Sequence, residues 1–184
     1  MAMSPALRNK LLGMTGAGAL AIAGTMIPDL EGVKYAPYYD VAGVLTVCYG
    51  HTGPDIKPGK KYSDAECRAL LQKDLVPFAK SVERSVKVPS SEYQKAALIT
   101  FSYNVGVSAF ERSALLRHLN AGNYQAACDS LRQWVYAGGK KWKGLVNRRE
   151  VEHEVCTWGE KPQKADDGFG PLNPGTLPSA PGVF

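Results

Sequence analysis

Glu31, Asp40 and Thr46 stand in one short window, spaced Glu-(eight residues)-Asp-(five residues)-Thr. Two carboxylates on different elements can face each other across a cleft, one protonated to donate to a leaving oxygen and the other ionised. A hydroxyl between them can hold an attacking water. Together these are the groups that glycosidic cleavage requires. Spacing alone does not single them out, because acidic residues nine apart on solvated loops are common.

The elements around the trio are mostly helical. Residues Tyr35 to Gly50 are rich in Tyr, Val and Thr and interrupted by Pro37 and Gly43, which predicts a short hairpin behind Glu31. Ser63-Asp64-Ala65-Glu66 has the form of a capping box, opening a helix that carries Leu70, Leu71 and Leu75. Pro77 is expected to kink or divide that helix. Ser91-Glu92-Tyr93-Gln94 opens another, running through Ala96, Ala97, Ile99, Thr100 and Tyr103 until Gly106 stops it. Further helices are expected from Arg112 to Asn120, Tyr124 to Tyr136 and Leu145 to Trp158, with Gly122, Gly138-Gly139 and Gly159 between and after them. The class is α+β, mostly helical, with one small sheet near the N-terminus.

The two ends differ from this body. After Arg8 and Lys10 the seventeen residues Leu11 to Ile27 carry no charge. As one helix they would span about 26 Å, the lower limit for crossing a bilayer. Ten of the seventeen are Gly, Ala or Thr, which add little transfer free energy. Three readings stay open: a weak uncleaved anchor over residues 1–27, a cleaved signal peptide with Ala21-Ile22-Ala23 as its site, or a buried core helix. The first two put the body outside the cytosol, the anchor doing so with a cytoplasmic N-terminus, and there the four cysteines would oxidise. Residues 161–184 hold five of the twelve prolines and no apolar periodicity, and are expected to form a flexible tail. The folded body is thus expected over 28–160. An apolar share of 45% against 21% charged residues excludes a wholly disordered chain. A net charge of +5 favours anionic surfaces without requiring nucleic acid.

The stretch LEGVKYAPYYDVAGVLTVCYGHTG closely resembles the catalytic region of phage-type lysozymes. The likeness continues in KYSDAECRALLQKDL, in FSYNVG with Phe110 and Ser113 after it, in WVYAGGKKWKGLVNRRE and in EVCTWG. The whole is similar to the signal-arrest-release endolysins of lambdoid phages. The resemblance runs in order over nearly all of residues 5 to 160, and the tail has no counterpart in it. It implies a lysozyme-like fold, Glu31 as general acid, Asp40 as the carboxylate that activates water or steadies positive charge, and Thr46 as the water-positioning hydroxyl. The implied substrate is the glycan of peptidoglycan, cut between N-acetylmuramic acid and N-acetylglucosamine, with inversion.

The same resemblance makes Tyr103, Asn104 and Ser113 cleft-lining positions, with ordinary packing or capping as the plain alternative. It pairs His51 with Asp74 and sets Arg148 beside Glu31. It also favours the disulfides Cys48–Cys67 and Cys128–Cys156 among the three connectivities that four cysteines allow. No metal or other cofactor is implied, the close pair Cys48 and His51 alone making no zinc site. The run Lys140-Lys141-Trp142-Lys143, with Glu150, Glu152 and Glu154 close behind, is expected to be a solvated, wall-facing surface rather than a nucleic-acid grip. The expected partners are peptidoglycan and, through residues 11–27, the host inner membrane, for a monomer whose release from that membrane activates it and whose timing a holin can set. A membrane-tethered wall-binding protein without catalysis is the alternative, disfavoured by the complete Glu31, Asp40 and Thr46 set. A soluble secreted lysozyme with a mature N-terminus near residue 24 is a third.

Overall fold

A computed structural model describes residues 3–40 and 42–158. The expected tail and Gly159 lie outside the described residues. Helix α1 (Pro5–Leu12) leads into α2 (Ala19–Glu31), followed by strands β1 (Lys34–Tyr39), β2 (Leu45–Cys48) and β3 (His51–Thr52). The long helix α3 (Asp64–Ser85) and the central α4 (Glu92–Val105) come next. Short helices α5 (Val107–Glu111), α6 (Ala114–Asn120) and α7 (Tyr124–Ser130) precede a 3-10 turn, the small hairpin β4 (Tyr136–Ala137) and β5 (Lys140–Lys141), and α8 (Lys143–Trp158).

Both capping boxes form. Ser63 and Glu66 close reciprocally at the start of α3, and Ser91 and Gln94 do so at the start of α4. Each satisfies backbone donors that the first helical turn leaves without partners. Helix α4 buries every residue from Ala96 to Ser102, as befits a helix with neighbours on all sides. Its neighbours are α2, α3 and α8, so the core gathers around it. Gly106 ends it at φ 90°, a conformation that a side chain would strain.

Residues 11–27 are not one helix. Helix α1 ends at Leu12, a turn follows over 13–16 with Gly16 at φ 86°, and α2 begins at Ala19. Among the described residues no helix is long and apolar enough to cross a membrane. Instead Leu11, Ile22, Ala23, Met26 and Ile27 are fully buried in the core. Glu92 on α4 accepts the Ala19 N–H at 2.7 Å, capping α2 where Gly18 has no side chain to do so. Next to it Tyr93 donates its hydroxyl to the Leu11 carbonyl at 2.8 Å, serving the open end of α1. The break between the two helices is therefore held by the first turn of α4.

Three sequence expectations need correction. Helix α3 is not divided at Pro77 but runs through it, because packing on α2 and α4 outweighs one missing N–H. The helix expected to reach Tyr136 ends at Ser130, and its remainder becomes the 3-10 turn and strand β4. The expected single sheet is accompanied by a second, two-stranded one, β4 pairing with β5 around Gly138-Gly139, both at positive φ. The N-terminal sheet has the order β1-β2-β3, all antiparallel. Its register slips between Lys34 and Tyr38, where Pro37 cannot donate to the ladder.

Candidate active site

Glu31 is the last residue of α2, followed by Gly32 at φ 69°. Positive φ lets the chain turn sharply into β1 and leaves the carboxyl at the mouth of a cleft rather than on a helix flank. That cleft, about 570 Å³, is lined by Glu31, Tyr49, Thr52, Asp74, Tyr103 and Asn104 among others. A smaller recess of about 250 Å³ adjoins it, shared through Glu31, Tyr49 and Gly50 and extended by Tyr38. Glu31 is thus common to both.

Thr46 lies on β2 opposite Tyr38 of β1 and Thr52 of β3. Directly opposed residues point to the same sheet face, and Tyr38 and Thr52 each line part of the cleft. Thr46 is buried on that face, its hydroxyl donating to the Val44 carbonyl at 2.9 Å. Asp40 follows β1, and its backbone N–H donates to Val44. Its Oδ1 accepts the N–H groups of Ala42 and Val44 at 2.9 and 2.8 Å, a local turn that fixes the carboxylate at the hairpin tip. Asp40 and Thr46 thus lie on the same hairpin, Asp40 at its tip and Thr46 on the second strand.

Arg148 of α8, itself buried, donates through Nη1 to Glu31 Oε1. Its Nε donates to Glu152 at 3.0 Å and its Nη2 to the Thr100 carbonyl at 3.0 Å. The adjacent Arg149 donates to the Trp134 carbonyl at 3.0 Å, to Glu152 and to Asn104 Oδ1. Burial pulls the Arg149 guanidinium below its ordinary value, with Glu152 opposing.

His51 is buried between two carboxylates. Its Nδ1 lies 2.8 Å from Asp74 Oδ2 and its Nε2 3.1 Å from Asp55 Oδ1. Burial raises the Asp74 carboxyl above its usual range, while the hydrogen bond from His51 holds Asp55 below. Tyr103 donates to the Tyr49 carbonyl at 2.7 Å and meets Phe78 edge-on, tying α4 and α3 to the turn between β2 and β3 beside the cleft. Burial pushes its hydroxyl well above the ordinary phenol value.

Ser113 departs from its expected place. It is buried as the N-cap of α6, accepting the Leu116 N–H at 3.1 Å, and does not line the cleft. A Ser immediately before an apolar helix start carries that signal in the sequence. Glu152 is fully buried under the two arginines, whereas Glu150 and Glu154 stay partly exposed. Sequence reading passed over Arg149, Glu152 and Asp55. The i, i+3 and i, i+4 spacing of Arg149 and Arg148 to Glu152 was the available signal for two of them.

The disulfides join Cys48 to Cys67 and Cys128 to Cys156. Cys48, at φ 60°, has the only positive φ among described non-glycine residues, and its bond to α3 secures the sheet end that borders the cleft. No group of three or more ligating side chains occurs among the described residues. The basic run lies on the β4–β5 hairpin and the start of α8, with Trp142 half exposed under Lys140.

Glu31 lines the cleft, while Asp40 and Thr46 lie on the neighbouring hairpin, their side chains bonded within its turn and neither lining the cleft or its recess. A mostly helical domain with a small antiparallel sheet beside a glutamate-lined cleft is the architecture of a lysozyme-like fold. A family model described as Phage lysozyme matches residues 28–152. A SAR-endolysin of Bacteriophage PS119 is 55% identical over 167 residues, which are 88% of this chain and all of that protein. Among solved structures, a mutant of P22 lysozyme aligns with a TM-score of 0.67 and 34% identity, covering 72% of this chain and 93% of that one. The muramidase domain of SpmX from Asticaccaulis excentricus aligns with a TM-score of 0.68 at 28% identity, covering 73% and 93%. The chain belongs to the phage lysozyme family. It is a phage endolysin, a muramidase whose substrate is peptidoglycan.

Proposed function

We propose that Glu31 protonates the glycosidic oxygen between N-acetylmuramic acid and N-acetylglucosamine while Asp40 and Thr46 deliver water to the opposite face of the ring. The observation that carries this reading is the position of Glu31, common to the cleft and its recess, with one oxygen tied to the buried Arg148. Arg148 orients the carboxyl. The backbone bonds to Asp40 Oδ1 fix the second carboxylate. Direct displacement by water gives inversion, with Asp40 taking the proton that water loses. Tyr103 and Asn104 shape the cleft wall, and His51 with Asp74 stiffens its floor.

The N-terminal segment adds regulation to this chemistry. Residues 11–27 act as a weak, releasable anchor in the host inner membrane, with the N-terminus cytoplasmic and the catalytic domain periplasmic. The SAR-endolysin name of relatives aligned over their whole length supports this. So does geometry: Glu31 ends the same helix that begins inside the apolar segment. With that segment in a bilayer, α2 could not dock on α4 and Glu31 could not reach Arg148. Release lets the segment break at residues 13–18 and fold onto the domain as a monomer, with membrane depolarisation by a holin as the trigger.

Turbidity of outer-membrane-permeabilised cells tests the chemistry. Wild-type protein clears them and Glu31→Gln does not; equal clearing by both would exclude hydrolysis by this site. Intact mass of the released protein tests the anchor, the expected species retaining residues 1–27 and a mature N-terminus near residue 24 overturning it. Gly18→Leu tests the weakness of insertion. Gly18 has negative φ, and a Cβ there makes only an ordinary contact with Glu92, so the backbone of the docked form accepts a side chain while Leu strengthens the anchor. Its expected effect is delayed lysis. Gly16 is a poorer choice, because at φ 86° any side chain strains the docked form as well.

A further inference from the structure

Glu31 is presented from a helix terminus and a glycine turn, so its own backbone holds it weakly. Its orientation comes from Arg148, and the question is what orients Arg148. Every nitrogen of that guanidinium is engaged: Nη1 by Glu31, Nη2 by the Thr100 carbonyl and Nε by Glu152 Oε1. Arg149 is equally committed, with Nε on the Trp134 carbonyl, Nη1 on Glu152 Oε2 and Nη2 on Asn104 of the cleft wall. The Arg149 guanidinium also lies over the Phe101 ring, 4.9 Å from its centre, and that ring is braced edge-on by Trp134.

Glu152 is the group these two cations share. It is fully buried, and its two oxygens are divided between them, Oε1 to one guanidinium and Oε2 to the other. A helix places residue i+3 and residue i+4 over the same face, so one carboxylate on α8 reaches both arginines. Two guanidinium groups side by side in a dry interior repel each other, and an anion between them fixes their separation. We infer that Glu152 is the positioning residue of the hydrolytic reaction: it sets the two arginines so that Arg148 aims the Glu31 carboxyl and Arg149 holds Asn104, locking acid and cleft wall in one frame. It touches no substrate and transfers no proton. The inference rests on the reading of Glu31 as the acid.

Steady-state kinetics on purified sacculi and on soluble glycan oligomers test it with two variants. Glu152→Gln keeps the shape and removes the charge. Its expected effect is a kcat lowered on the order of 10- to 100-fold, with KM within about twofold of wild type. Because that change leaves two buried cations with too little compensation, the variant can lose folding. Arg149→Met with Glu152→Met therefore accompanies it: this removes one buried cation and the buried anion together, with side chains that fill the space. The expected result is a Tm near wild type, a kcat still lowered at least tenfold because Arg148 has lost its Nε acceptor, and a KM raised as well because Asn104 has lost its Arg149 donor. A purely structural pair would instead return kcat to wild type along with Tm, and that result overturns the proposal, as does Glu152→Gln with full kcat. Loss of activity in Glu31→Gln is the separate check on the acid, so failure of either reading is recognised apart from the other.

Discussion

Replacing Ile27 with Ala separates the docked form of the N-terminal segment from any membrane-embedded form. Ile27 is fully buried in the core and lies one helical turn before Glu31. Truncating a fully buried Ile to Ala costs about 2–5 kcal/mol, the transfer term plus the cavity it leaves. In a domain of this size each kcal/mol corresponds to about 2–4 °C, so Tm of the released protein should fall by roughly 10 °C. The same change in a bilayer removes only about 0.5–1 kcal/mol of insertion energy. The variant should therefore leave the membrane at least as readily yet fold less stably. Ala21→Ser is the control, since Ala21 is exposed on the same helix and the substitution should stay within about 0.5 kcal/mol. Thermal unfolding of the two purified released proteins by circular dichroism reads the difference. A Tm for Ile27→Ala within about 1 °C of wild type, or equal shifts in both variants, would refute docking of α2 as the state that completes the fold.

Glu92→Ala removes the acceptor for the Ala19 N–H, so α2 loses its N-terminal cap; a cost of about 0.5–2 kcal/mol should show as a Tm lowered by a few degrees in the released form. Replacing Cys128 and Cys156 with Ser opens a crosslink between residues 28 apart, with an expected loss of about 3–4 kcal/mol measured by urea unfolding of matched samples. Glu66, held by Lys60 and the Ser63 backbone, has its carboxyl lowered from 4.5 to about 2. A depressed carboxyl stabilises the fold above its unfolded value, and that gain is lost as pH falls through the folded one. The Tm gap between wild type and Glu66→Gln should therefore hold above about pH 4.5 and close towards pH 2, and a gap independent of pH over that window would refute the assignment.

Much of the site was legible because its signals are local. Helix caps at Ser63 and Ser91, the helix stop at Gly106 and the hairpin after Glu31 depend on a few neighbouring residues, so short sequence patterns specify them. The spacing of Glu31, Asp40 and Thr46 gave the chemistry only in outline, and the resemblance of the surrounding motif gave it content. What the sequence by itself determined was therefore the class of fold, the candidate trio and the weakness of the apolar leader, all properties of composition and short-range order.

Tertiary structure decided the rest, for reasons of distance and burial. Nothing local shows that Glu92 and Tyr93 meet the ends of helices more than seventy residues earlier, or that the helix through Pro77 continues because its neighbours hold it. Ser113 belongs to a cap rather than the cleft because packing turns it inward. Above all, a glutamate in a charged stretch reads as solvated until two arginines and the core close over it. Charge pattern is written along the chain, but whether a charge faces water or another charge is set by which surfaces fold together.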